Sequence, residues 1–263
     1  MKTLRRSTRG EPVRLWQNFL LGLGLRPGIA DGIFGPLTDA ATEKFQRLQG
    51  LEMDGIVGPI TYGRAMQLGF DPIEPDKTDK SEKGPNWPVA LAGLKSPSPA
   101  LREKLFGKFS YKPAGTANNP EAIKILGAWQ RNNIVRVTIP QLKGVAGAHP
   151  KGHVFFHRKG ADALVATFQG WEDAGLLPLV KTWAGSFVPR FIRGSRTTLS
   201  NHAFGTAFDI NAQWNWLGSR PALANKTGSV RRLVPIAQKH GFAWGGNYKK
   251  RPDGMHFELV RPT

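Results

Sequence analysis

Apolar positions in the first 70 residues recur with helical spacing. Val13, Trp16 and Leu20 mark one face, and Leu37, Ala40, Ala41, Phe45 and Leu48 mark another, which Gly50 is placed to end. An eight-residue unit accompanies them: Asp31-Gly-Ile-Phe-Gly-Pro-Leu-Thr38 returns 23 residues later as Asp54-Gly-Ile-Val-Gly-Pro-Ile-Thr61. Each copy reads as an Asp-Gly turn followed by a helix start with Pro in its first turn. The pattern predicts a bundle of about three helices over roughly residues 10–70. Periodicity then stops. Residues 71–88, DPIEPDKTDKSEKGPNWP, are rich in Pro and charge, which predicts an exposed linker.

Beyond it the pattern is mixed. Leu101–Phe106 and Glu121–Arg131 read as helical, and so does Arg231–Lys239, with His240 closing that helix before Gly241. Val154-Phe155-Phe156 reads as a strand. Small Gly205 and Ala207 alternate with Phe204 and Phe208, which suits a strand that another group approaches closely. His256-Phe-Glu-Leu-Val reads as a strand with His256 and Glu258 on one face.

Composition narrows the chemistry. The absence of Cys excludes disulfides, thiolate metal sites and a Cys nucleophile, so any metal must be held by His, Asp or Glu. No stretch approaches the roughly 20 apolar residues of a membrane span, and the basic N-terminus lacks the apolar run of a signal peptide. The net charge of +18 points to an anionic partner. Almost all of it, +17, belongs to residues 89–263, which hold 25 bases and eight acids. Three of those acids, Asp209, Asp253 and Glu258, fall in the last 55 residues, beside His202 and His256.

Two His and one carboxylate suffice for a catalytic zinc site with one position left for water. A further carboxylate must then move the proton, and Asp253, three residues before His256 across a tight turn, is the candidate. The trio His149, His153 and His157 has spacing that could mimic a helical metal face. Pro150 and Gly152 interrupt it, and it is not taken as a site.

Two resemblances organise these readings. Trp16-Gln17, the doubled Asp-Gly motif, Phe45-Gln46 and Gly50-Leu51 resemble the peptidoglycan-binding module often attached to cell-wall hydrolases; Tyr62-Gly63 is a small departure. The pattern Ser-x-His-x6-Asp, then Trp-Gly-Gly, then Asp-x-x-His-Phe-Glu resembles zinc peptidases that include D-alanyl-D-alanine carboxypeptidases and phage L-alanyl-D-glutamate endopeptidases. That resemblance implies one Zn2+ held by His202, Asp209 and His256, with Asp253 as general base. It also implies an upstream Arg for the substrate oxyanion or carboxylate, Arg190 first and Arg193 second. Ser200 is a candidate substrate contact and Trp244 a cleft wall. Glu258 is expected to hydrogen-bond a ligand imidazole from outside the metal. Asn211 is expected to turn the chain at a strand end.

The expected fold is α+β: a helical bundle over 1–70, a linker over 71–88, and a zinc peptidase domain with a mainly antiparallel sheet over 89–263. The expected activity is hydrolysis of an amide bond in the peptide stem of peptidoglycan, by an endopeptidase of the L-alanyl-D-glutamate type, with a D-alanyl-D-alanine carboxypeptidase as the alternative. The phage-like architecture implies a monomeric endolysin made in a host cytoplasm and released through a separately encoded pore. Two further classes stay open: a non-catalytic wall-binding protein, against which the complete site set argues, and a nucleic-acid binder, for which no motif is present.

Overall fold

A computed structural model describes residues 3–68, 70, 86–116 and 119–262. Residues 71–85, which form most of the expected linker, lie outside the described residues. The chain divides into two compact units, one built on the N-terminal helices and one on the C-terminal sheets.

The N-terminal unit holds α1 (Glu11–Gly22), α2 (Pro36–Leu48) and α3 (Pro59–Gln67), each with Pro in its first turn. Trp16 is fully buried at the centre of an aromatic cluster with Phe19, Phe45, Tyr62 and Phe70. The repeat is also a structural duplication. The Gln17 amide donates to Asp31 Oδ1, the Ile33 carbonyl and Thr38 Oγ1, and its oxygen accepts from the Gly32 N–H. Gln46 makes the same four bonds to Asp54, Ile56, Thr61 and Gly55. Each buried glutamine therefore satisfies an Asp-Gly turn whose polar groups face the bundle.

The C-terminal unit begins with α4 (Pro99–Phe106), capped by Ser98 Oγ, followed by a hairpin of β1 (Tyr111–Pro113) and β2 (Ile123–Ile125). A short α5 (Trp129–Asn133) leads into β3 (Ile134–Thr138), which pairs with β4 (His153–His157). After α6 (Ala161–Asp173) come β5 (Trp183–Gly185), β6 (Ala207–Ile210), α7 (Val234–Lys239), β7 (Phe242–Trp244) and β8 (His256–Leu259). The last four strands form one antiparallel sheet in the order β5-β6-β8-β7. The fold is α+β. Phe208 of β6 and Phe257 of β8 stack at 5.1 Å and 5° on the face that meets Trp171, Phe168 and Trp183.

Three expectations change. Glu121–Arg131 is not one helix: Ile123 is buried while Lys124 is exposed, a period of two that pairs with Tyr111–Pro113 before α5 begins. Gly205 is not in a strand; it adopts φ 64° and ends a 3-10 turn over Asn201–Phe204, with the strand starting at Ala207. Residues 86–88, placed in the linker by composition, pack with the C-terminal unit. The Trp87 ring lies 5.1 Å from that of Trp244, and its indole N–H donates to Asn247 Oδ1.

The His149, His153 and His157 trio is dispersed. His149 and His153 stack on each other at 4.9 Å, whereas His157 is fully buried. Nδ1 of His157 accepts from the Lys159 N–H and Nε2 meets the Phe106 carbonyl, which defines a neutral imidazole with its proton on Nε2. Burial, aided by Lys159 and Arg158, holds its pKa down at about 4 against the Phe106 bond.

Two predictions follow from these contacts. Because the folded form resists protonating His157, its contribution is complete above pH 6.5 and is lost as pH falls toward 4. Thermal melts of wild type and His157→Gln should therefore converge over that window, by at most on the order of 3 kcal/mol. In the N-terminal unit, Gln46→Met keeps the volume but strands the polar groups of its turn. Denaturant melts should show a loss of about 2–4 kcal/mol.

Candidate metal centre

The local sequence dictates how each donor is presented. Ser200 Oγ accepts from the His202 N–H and caps the 3-10 turn that carries the imidazole. Asp209 lies on β6 directly opposite His256 on β8, so their side chains leave the same face of the sheet. Ligand atoms of His202, Asp209 and His256 lie within 4.8 Å of one another. His202 Nε2 is 3.2 Å from Asp209 Oδ2 and 3.1 Å from His256 Nδ1, and His256 Nδ1 is 2.9 Å from Asp209 Oδ1. On its far side His202 donates from Nδ1 to the Ser186 carbonyl at 2.7 Å. That bond fixes the tautomer and turns the Nε2 lone pair inward, as a metal-binding imidazole requires.

The donor set fits zinc: two imidazoles and a carboxylate, all largely buried, converging on one point. Burial lowers the pKa of His202 despite the neighbouring Asp209. Burial would raise Asp209, but the two imidazoles hold it below the usual carboxylate range. His256, opposed by burial, is raised to about 9 by Asp209.

His202 and His256 open onto a cavity of about 260 Å3 that Arg190, Arg193, Ser200, Tyr248, Arg251 and Asp253 also line. Asp253 follows a Gly-Gly pair for a steric reason. A Cβ on Gly245 would come within 2.6 Å of the Asp253 carbonyl and 3.2 Å of His256 Cβ. The Asp253 N–H donates to the Gly245 carbonyl, and the carboxylate Oδ1 is buried with no hydrogen-bond partner among the described residues. Burial pushes this carboxyl up to about 7; Asp209 adds to the rise, while His256, Arg190 and Arg251 oppose it.

Several side chains stand elsewhere than expected. Arg193 is committed to Glu121 by an ion pair of 3.1 Å, and the Gly194 N–H binds the same carboxylate. Arg190 is placed by a backbone bridge with Ala122 and donates from Nη1 to the Phe191 carbonyl, while facing the cavity. Trp244 is buried and lines no part of this cavity; its indole N–H donates to the Gly254 carbonyl and secures the turn after Asp253. Glu258 makes no hydrogen bond to a ligand imidazole. It accepts instead from Asn201, Ser96 and Tyr248. Asn211, in a left-handed conformation, satisfies the backbone of Leu179, Lys181, Thr182 and Gly228. No motif assigns a role to Tyr248 or Arg251; the loop between β7 and β8 places both on the cavity wall.

Comparison with known proteins agrees with this geometry. Residues 9–64 match the family model of a peptidoglycan binding domain, and residues 193–259 match that of D-alanyl-D-alanine carboxypeptidases. The two matched stretches fall one in each compact unit. It is similar to the zinc D-Ala-D-Ala carboxypeptidase of Streptomyces albus G, with 43% identity over 75 residues, 28% of this chain and 29% of that protein. It also matches the uncharacterized protein in the bpoA1 3′ region of Kitasatospora aureofaciens, with 59% identity over 34 residues, 13% of this chain and 29% of that one. The aligned parts therefore span 29% of the length of each relative. Among the described residues no helix is long and apolar enough to cross a membrane.

If the cluster is the metal site, Asp209→Ala should weaken zinc binding by more than roughly 100-fold, beyond the usual loss for partners outside the metal. Competition with a chromogenic chelator measures this, and His153→Ala serves as the control with unchanged affinity.

Proposed function

We propose that this chain is a zinc-dependent hydrolase of peptidoglycan. Its recognition module occupies residues 1–70 and its catalytic domain the C-terminal unit up to 263, which residues 86–88 join through Trp87. The observation that carries the reading is one cavity wall. Two imidazoles of a converging three-donor cluster, a buried carboxylate with an oxygen unpaired among the described residues, and the Arg190 guanidinium line the same space.

When bound, a zinc ion supplies Lewis-acid activation of water and of a scissile carbonyl. Asp253 takes the proton from the attacking water and returns it to the leaving amine. Burial raises this carboxyl, and the charge of a bound cation opposes that rise. Arg190 faces the position where negative charge develops on the carbonyl oxygen. Arg193, held by Glu121, keeps the loop in place instead. Ser200 acts through the loop of His202. The excess of basic residues in the C-terminal domain attracts the enzyme to an anionic envelope.

We infer an endopeptidase acting within the peptide stem, the reading favoured by the union of a wall-binding module with this site. The relative's name favours a D-Ala-D-Ala carboxypeptidase as the second reading. Digestion of purified sacculi, with mass spectrometry of the new termini, separates the two: cleavage between L-Ala and D-Glu leaves L-Ala on the glycan and releases peptides that begin at D-Glu, whereas the carboxypeptidase releases D-alanine alone.

Chelation should abolish turnover, and zinc should restore it. Asp253→Asn should keep zinc and lose about 10²- to 10⁴-fold in kcat. A metal-free protein that still degrades sacculi would refute the mechanism.

A further inference from the structure

Residues 89–110 carry no recognisable motif, yet a buried polar network runs from them to the metal donors. Glu258 is fully buried on β8, two residues beyond His256. Its Oε1 accepts from Ser96 Oγ and, at 2.7 Å, from the Tyr248 hydroxyl; its Oε2 accepts from Asn201 Nδ2. Asn201 directly precedes His202, and its Oδ1 accepts from Nη1 of Arg102 on α4. The Arg102 guanidinium, on a residue only 4% exposed, lies 5.2 Å from the ring centroid of Phe204 in the same turn.

A carboxylate taken out of water is costly unless its lone pairs are filled and a countercharge stands near. Glu258 meets the first condition with three neutral donors and the second with Arg102, one residue removed. Three separate stretches of chain converge on it: residues 96–102, the turn bearing His202, and the strand bearing His256. Apolar packing alone resists small slides weakly, because dispersion has no direction. A satisfied hydrogen-bond network is directional, and metal donors must stand within about 0.2 Å of their ideal distances.

We propose that Arg102, Asn201 and Glu258 are positioning residues that hold the His202 turn against β8 at the spacing zinc requires. None of them touches the metal; Arg102 acts through Asn201. The proposal rests on the reading of His202, Asp209 and His256 as a zinc site, and the test distinguishes a failure of either.

The test uses the full chain, with zinc affinity read by chelator competition and folding read by thermal melting. Wild type comes first: if it takes up no zinc, the zinc-site reading falls and this inference with it. Glu258→Gln sets an amide against three donors, and Asn201→Asp sets two carboxylates together. Each should weaken zinc by roughly 10- to 100-fold while the protein still melts cooperatively. In the double variant the amide introduced at 258 donates to the carboxylate introduced at 201, which stays in reach of Arg102. The bond is restored in reverse, and zinc affinity should return toward wild type. A role confined to stability would lower Tm in the single variants and leave zinc affinity unchanged, which would overturn the proposal. So would a double variant as weak as the singles. Should Glu258→Gln fail to fold, Asn201→Ala takes its place: weakened zinc binding supports the proposal, and unchanged binding overturns it.

Discussion

The antiparallel register of β6 against β8 is the constraint from which the site follows. It sets Asp209 opposite His256 and Ala207 opposite Glu258 on one face, and Phe208 opposite Phe257 on the other. The phenyl pair is sealed among Trp171, Phe168 and Trp183, so a slip by one residue would bring the ionisable face into the core. The apolar face therefore stabilises the only register in which the carboxylate and the imidazole meet. The small side chain of Ala207 leaves room opposite Glu258 for the network that reaches Asn201. Core packing and metal geometry are in this sense one property of two short strands.

The electrostatics of the cavity run against what folding alone would select. Two imidazoles and two carboxylates are withdrawn from water within one small volume, and one carboxylate oxygen has no protein donor among the described residues. Such local conflicts are tolerated where function needs them, and the surroundings must compensate. Here they do so by holding the loops: Trp244 grips the turn after Asp253, Glu121 grips Arg193, and Ser186 orients His202.

The two units differ in how they use polar groups. In the N-terminal bundle each glutamine serves its own Asp-Gly turn, Gln17 reaching Asp31 and Gln46 reaching Asp54, so the duplicated sequence yields duplicated hydrogen bonds. In the C-terminal unit the polar contacts that matter span long stretches: Ser96 to Glu258, Arg102 to Asn201, Glu121 to Arg193.

That contrast explains what could be read before the fold was known. The helical module was legible because its determinants are local: apolar residues at helical spacing, Pro at helix starts and a repeated turn. His202, Asp209, Asp253 and His256 were legible as candidates because zinc chemistry restricts residue types and they fall in two short motifs, 202–209 and 253–256. Partners were not. Nothing near Arg193 announces Glu121, nothing near Glu258 announces Ser96 or Asn201, and the alternation of Ile123 with Lys124 was hidden inside a segment with helical spacing. Trp244 looked like a cleft wall because an aromatic beside two glycines fits either side of a surface. The sequence by itself determined the candidate side chains for the chemistry and where the helices of the N-terminal bundle begin. Only the tertiary structure decided which arginine is tied to Glu121, what holds each donor and which aromatic is buried. Those outcomes depend on contacts between residues far apart in the chain, where burial and directional hydrogen bonding, not local propensity, choose the partner.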